Sequence, residues 1–389
     1  MKLHISLTIF LLGFFFVGCS KHPNKSKDIA TSYINMDVPE VNSKSELSSL
    51  FSDFTIIELE SGIDHYIKEP ARIRIYNNLI YIFDRTLGNL LIFNNQGKFI
   101  KKVLRKGKGP GETVKAYDFD IDTGNKQLLI LDLALKQTLH FSLDGDYLFV
   151  EKNDFQSFYL SSLAVGKIAY YIGYFDLKSF NLQIKEKGKK FKSLFPFPDK
   201  MYPMHFIFSG YMAKNQEGIL YSDACSDNVY QIYRDGTLNL KYSFDFGPKA
   251  WNESYRFDFN KFFLSISRFE TDFLRNYFEE SKEGLVFEYQ IGNQYRTGYY
   301  LFANNKLYLP DKNLIYNAYC NGLNTPRGIT DDGKFISYIE PYLVKKDIVD
   351  EEEKGFETGF DLKLRNQIMN SDLETGIFLV LYRLRQNEG

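Results

Sequence analysis

A short strand that closes on an aspartate recurs along this chain. It reads Leu79-Ile80-Tyr81-Ile82-Phe83-Asp84, then Leu128-Leu129-Ile130-Leu131-Asp132, then Ile219-Leu220-Tyr221-Ser222-Asp223, then Leu307-Tyr308-Leu309-Pro310-Asp311. A recurring unit of this size means a repeat architecture, in which each copy is a small sheet that buries its faces only against its neighbours. Around each refrain lie further short apolar runs separated by turn residues. Arg72–Tyr76, Leu79–Asp84, Asn89–Asn94 and Lys98–Leu104 form the first set, with reversals at Asn77-Asn78 and Asn95-Gln96-Gly97. Asn and Gly at tight reversals are hairpin signals. Four antiparallel strands in one meander make one blade of a β-propeller.

The pattern repeats over Tyr117–Glu151, less distinctly over Tyr159–Leu194, clearly over Phe206–Phe246, then over roughly Leu285–Tyr319. A shorter last set joins Gly328–Thr330, Lys334–Glu340 and Ile377–Arg385. The fold class expected is all-β, a six-bladed β-propeller of four-stranded antiparallel blades. Counts of five or seven stay open, because the third and sixth blades are indistinct. Phe54–Glu60 stands alone before the first meander and is expected to pair with the last blade and close the ring, which protects strand edges. Aromatic residues make up 17% of the chain, nearly all Tyr and Phe, and these favour pleated, half-buried surfaces. Phe262, Ile266, Phe269, Phe273 and Tyr277 recur at helical spacing, so a helical insertion is expected over about 250–281, between blades four and five.

The N-terminus reads as an address. Lys2 is followed by an apolar run, Ile5 to Val17, too short to span a bilayer comfortably. The run ends at Phe16-Val17-Gly18-Cys19, which resembles a bacterial lipobox; an ordinary secretory signal containing a cysteine is the alternative. The resemblance implies removal of residues 1–18 and acylation of Cys19. Each buried methylene of an acyl chain contributes about 0.8 kcal/mol to anchoring. Residues 19–50 are expected to be a flexible tether and residues 51–389 the propeller. The absence of an acidic run after Cys19 favours the periplasmic face of the outer membrane. A net charge of -1 makes no electrostatic case for nucleic acid. Cys225 and Cys320 fall in different blades and are expected to be free, although the compartment permits a disulfide.

The first two meanders, with Gly107-Lys108-Gly109-Pro110-Gly111-Glu112 and Leu143-Asp144-Gly145-Asp146-Tyr147, are similar to the six-bladed propeller lipoproteins grouped as TolB-like or NHL-like. The resemblance implies a lipid-anchored six-bladed propeller. It carries no shared activity and no catalytic residues to map.

Candidate residues follow from the scaffold. Asp84, Asp132, Asp223 and Asp311 would lie on one face, either as a carboxylate ring or as acceptors for backbone N–H groups of the turns they open. The second reading fits residues that recur with the repeat. Gly107–Glu112 is neither a P-loop nor a dinucleotide fingerprint, and Glu112 would either reach a ligand or brace the loop. Lys98, Lys101, Lys102, Arg105, Lys106 and Lys108 read as a solvated edge, or as a surface for anionic lipid or glycan. Histidines lack ligand spacing, so no metal or other cofactor is expected. No nucleophile elbow is present, so no catalytic residue is assigned. Function most often sits on loops of a rigid scaffold, which directs attention to the insertion. Trp251, Tyr255 and Arg256 at its start are residue types that dominate interface energetics.

Two functions remain. The first is a non-enzymatic binding or scaffold protein, held to the membrane by lipid, with an envelope protein or glycan as partner. The second is a hydrolase or lyase acting on a glycan or small ester at the channel mouth.

Overall fold

The computed structural model describes residues 31–173, 180–196, 211–223, 226–250, 258–268, 270–311, 323–341, 362–370 and 376–386, with single residues 252, 255, 314 and 345. Six antiparallel sheets follow one another around a ring. Blade one is Pro70–Tyr76, Leu79–Asp84, Asn89–Asn94 and Phe99–Lys102. Blade two is Ala116–Asp122, Gln127–Asp132, Gln137–Ser142 and Tyr147–Lys152. Blade three, Tyr159–Ala164, Lys167–Tyr171, Phe180–Glu186 and Lys192–Pro196, is a full meander despite lacking the aspartate. Blade four is Tyr211–Asn215, Gly218–Ser222, Asn228–Tyr233 and Leu238–Asp245.

Blade five begins earlier than its sequence suggests. Its strands are Phe273–Glu280, Gly284–Ile291, Gln294–Leu301 and Lys306–Pro310. The helix of the insertion covers only Phe259–Ser267, so Phe273 and Tyr277 belong to a strand. A spacing of four is two strand periods as well as about one helical turn, so Phe273 and Tyr277 fit one face of a strand as well as a helical stripe; the strand also carries a register shift between Leu274 and Phe278. Glu279 and Glu280, which fall within the helical insertion expected over about 250–281, are consecutive residues of that same strand.

Blade six is Gly328–Ile329, Phe335–Ile339, Phe378–Leu384 and, from the N-terminal side, Phe51–Glu58. The last pair runs antiparallel from Phe378 opposite Glu58 to Leu384 opposite Phe51, as the isolated early strand suggested. The ring closes at its centre too. The Ile73 N–H donates to the Arg327 carbonyl at 2.9 Å, and a Cβ on Gly328 would lie 2.1 Å from the Ile73 carbonyl oxygen. Only glycine permits that approach of blade six to blade one.

Part of the expected tether is folded. Ser32–Asn35 adds in parallel outside blade four, Glu40–Val41 outside blade five, and the helix Lys44–Ser49 is capped by the Ser43 hydroxyl. Ile34, Val41 and Leu47 are buried there, and that apolar spacing is what withdraws residues 32–50 from a purely flexible role. Cys19, Cys225 and Cys320 lie outside the described residues. Among the described residues no helix is long and apolar enough to cross a membrane.

Apolar layers fill the gaps between blades. The refrain tyrosines Tyr81 and Tyr221 are fully buried, and Tyr81 Oη reaches the Leu143 carbonyl of blade two at 3.1 Å. A buried tyrosine thus supplies area to the layer and a hydrogen bond to the next blade.

Candidate functional site

First strands of all blades run the same way along the channel, so the two faces of the disc receive different connections. One face carries the first-to-second and third-to-fourth turns, each two to five residues long. The opposite face receives the strand ends that the blade-to-blade and second-to-third connections join, and the longest of these connections span 197–210, 246–272, 311–327 and 340–377 in the sequence. Loops that exceed what a meander needs are where a propeller places function.

At the centre of the loop-bearing face lies a cationic, tyrosine-rich mouth. Arg85, one residue past the blade-one refrain, sits 4.9 Å from the Tyr117 ring and 5.0 Å from the Tyr159 ring. Its Nε donates to the Tyr117 carbonyl at 3.0 Å and its Nη1 to Tyr159 Oη at 3.4 Å. Arg327 stands 4.4 Å over the Tyr277 ring, and its buried Nη1 has no hydrogen-bond partner. Among the described residues neither guanidinium makes an ion pair. Stacked guanidinium groups keep their in-plane donors free, a geometry suited to carboxylate, sulfate or phosphate oxygens.

Below the mouth the channel is closed by charge pairs. Arg72 is 1% exposed and Asp118 0%, and their Nε and Oδ1 lie 3.3 Å apart. The Arg72 guanidinium also donates to the carbonyls of Phe119, Leu160 and Met212, one from each of the next three blades. One side chain therefore pins four first strands. One layer deeper, Arg74 Nε meets Asp120 Oδ1 at 3.0 Å, and Ser161 Oγ and the Ser162 N–H donate to Asp120 Oδ2. Burial opposes the Asp120 charge, but Lys214, Arg74 and Arg72 outweigh it and hold the carboxyl below its ordinary range. Asp118 goes the other way: burial raises it more than Arg72 and Arg85 lower it. Glu279, fully buried, accepts from Tyr211 Oη at 3.2 Å while its Oε2 has no partner, and burial pushes it up to about 7 despite Arg74 and Arg72 nearby.

The residues singled out from sequence occupy other places. Asp84 Oδ2 accepts from the N–H groups of Lys68 at 2.6 Å and Glu69 at 2.9 Å, and Oδ1 from Leu87 at 2.8 Å. Asp132 accepts from Val114 at 2.8 Å, Ala134 at 3.0 Å and Leu135 at 3.1 Å. Each thus ties the turn after its own strand to the chain segment that enters the blade. Asp223 accepts from Asn181 Nδ2 of blade three, and Asp311 from the Leu314 N–H at 2.9 Å. Asp311 follows the fourth strand of blade five, not the second, so the four do not end equivalent strands. Replacing Asp132 with alanine should cost about 2 kcal/mol in urea unfolding, since three partly buried hydrogen bonds lose their charged acceptor; a loss below about 0.5 kcal/mol would reduce the refrain to sequence coincidence.

Glu112 Oε2 accepts from the Gly109 N–H at 2.9 Å, and a Cβ on Gly107 would lie 1.9 Å from that oxygen. Its carboxylate is folded into its own loop. Lys101, from the basic run, reaches Asp146 of blade two at 2.6 Å. Tyr255 is described, and its N–H donates to the Asn252 carbonyl at 2.9 Å; Trp251 and Arg256 lie outside the described residues. Among the described residues no group of His, Cys, Asp and Glu could hold a metal ion. The channel set was missed although it has a signal: Arg72-Ile73-Arg74 and Asp118-Phe119-Asp120 put like charges on one face of two otherwise apolar first strands.

No curated protein sequence matches the chain. Among solved structures it is similar to the exported protein BF0058 of Bacteroides fragilis, at TM-score 0.73 and 18% identity, covering 91% of this chain and 99% of that one. It is also similar to a member of the DUF4221 family from Bacteroides vulgatus, at TM-score 0.52 and 8% identity, covering 86% of this chain and 98% of the other. At such identities these likenesses concern the propeller fold. The family model of a domain of unknown function, DUF4934, matches residues 32–368, which takes in the added N-terminal strands and every blade strand except Phe378–Leu384 of blade six, and the chain belongs to that family.

Proposed function

We propose that this chain is a binding or scaffold protein of the cell envelope, anchored through an acylated Cys19 at the periplasmic face of the outer membrane. Its partner is an envelope protein or glycan docked on the loop-bearing face. The observation that carries the reading is the asymmetry of the disc. One face is trimmed to turns of two to five residues, whereas the strand ends joined by the long connections open on the other, where Arg85 and Arg327 stand. The channel behind that mouth is shut by the Arg72 pin, so the face acts as a platform rather than a passage. Likeness to an exported propeller and the resemblance to TolB-like lipoproteins support the compartment.

Cross-linking in the native envelope, with Cys19 and its acyl chains retained, tests the proposal. Cross-links to one partner class should map to the loop-bearing face. Arg85→Met should lower capture about fivefold at unchanged anchored amount, as expected for a loss of roughly 1 kcal/mol. Cross-links confined to the short-turn face, or capture indifferent to Arg85, would sink it. A second reading, hydrolase or lyase chemistry on a glycan or small ester, rests on one observation, a carboxyl that titrates near neutrality beside a tyrosine hydroxyl. Turnover of such a substrate that Glu279→Gln abolishes would establish it.

A further inference from the structure

The short-turn face holds a site of a different kind. Where the first strands of blades one, two, four, five and six end, their side chains enclose a pocket of about 230 Å³. That is below the usual ~300–1,000 Å³ of sites for drug-sized ligands, so the occupant is small. Arg74 and Asp120 form its buried part, Lys214 and Glu280 its wall, and Arg234 and Asp331 its exposed rim.

The carboxylates at the bottom and wall are already satisfied. Asp120 accepts from Arg74, Ser161 and Ser162, with Lys214 Nζ 3.6 Å away. Glu280 accepts from Asn215 at 2.9 Å, Lys241 at 2.9 Å and Tyr242 at 2.5 Å. The cations keep donors in reserve. Arg74 Nη2 is buried with no partner. Lys214 Nζ donates to the Ile121 carbonyl at 2.9 Å, and Arg234 spends Nη2 on the Gln216 carbonyl at 3.0 Å. A lysine has three N–H donors and an arginine five, so most remain available. With Lys241 neutralising Glu280, the cations outnumber the carboxylates by one. Glu280 and Asp331, at the strand ends of the adjoining blades five and six, disfavour a dianion. They leave room for hydroxyl groups, because carboxylate oxygens accept more than one hydrogen bond. Tyr76 adds an aromatic surface to the wall.

We infer that this pocket binds a carboxylated monosaccharide of the hexuronate class. Its carboxylate meets Lys214 and Arg234, and its hydroxyls meet the Glu280 and Asp331 side. The site lies on the opposite face from the proposed partner platform and stands or falls independently of it.

The test is titration calorimetry of the purified, folded chain with D-glucuronate, D-glucose and acetate as probes. Glucuronate should bind saturably, and glucose and acetate at least about tenfold more weakly, because each lacks one half of the recognition. Arg234→Ala, at an exposed position that leaves the channel pairs untouched, should weaken glucuronate about threefold or more, and Lys214→Met about tenfold. If Lys214→Met fails to fold, Arg234→Ala alone decides. No saturable glucuronate binding, acetate or glucose binding as tightly, or indifference to Arg234→Ala would each overturn the assignment.

Discussion

Arg72→Met is expected to destabilise the propeller by about 3–5 kcal/mol, the cost of breaking one partner out of a fully buried ion pair. The size of the effect follows from where the guanidinium sits. It is 1% exposed, faces an Asp118 that is 0% exposed, and donates to carbonyls of blades two, three and four. Removing it leaves Asp118 with the Leu160 N–H as its remaining hydrogen-bond donor, at 3.0 Å. An ionised carboxylate held that way in low dielectric must either take up a proton or admit water. Methionine fills nearly the same volume, so the loss reports charge and hydrogen bonding rather than a cavity. The double variant Arg72→Met/Asp118→Leu should recover at least half of the loss, because a buried pair exchanged whole for apolar groups is often close to neutral. Urea unfolding of the three proteins measures both numbers. A single-variant loss under about 1 kcal/mol would mean that the pin is decorative and that apolar layers alone hold the ring.

The same residues explain what could be read in the sequence and what could not. Repeat, strand and turn were legible because each is local: Asn77-Asn78 turns wherever it stands, and Leu79–Asp84 is a short continuous apolar run bounded by turn residues. Closure by the N-terminal strand was legible because an unpartnered strand before the first meander has one place to go. The channel was not, since Arg72, Asp118, Leu160 and Met212 come together only when separate blades close around an axis. The alternation of charge in Arg72-Ile73-Arg74 was visible, but its partner in Asp118-Phe119-Asp120 becomes evident only once both are known to be first strands of adjacent blades. The stripe ending in Phe273 and Tyr277 failed for a different reason. A spacing of four is two strand periods and also about one helical turn, and hydrophobic periodicity alone does not separate the two.

Glu279 carries the second large expectation, and its sign is opposite to that of most paired carboxylates. Burial, against the lowering influence of Arg74 and Arg72, lifts it from an ordinary 4.5 to about 7 in the folded chain. Between those two values the folded state holds a proton that the unfolded state has released. Stability is therefore full at and below about pH 4.5 with respect to this group and declines as pH rises towards 7, by about 3 kcal/mol in all, then stays level. The physical cause is a carboxyl that receives one donor, Tyr211 Oη at 3.2 Å, and leaves Oε2 without a partner. Glu279→Gln keeps the shape and removes the titration. Measured by urea unfolding at pH 5, 7 and 8.5, the variant should match the parent at pH 5 and exceed it by up to about 3 kcal/mol at pH 8.5. Other titrating groups, Asp118 and Asp120 among them, act on both proteins and cancel to first order in the difference. A pH-independent difference would show that Glu279 ionises as an ordinary carboxylate. The channel would then hold a water or ion on its open oxygen, and the case for proton chemistry at this position would fall with it.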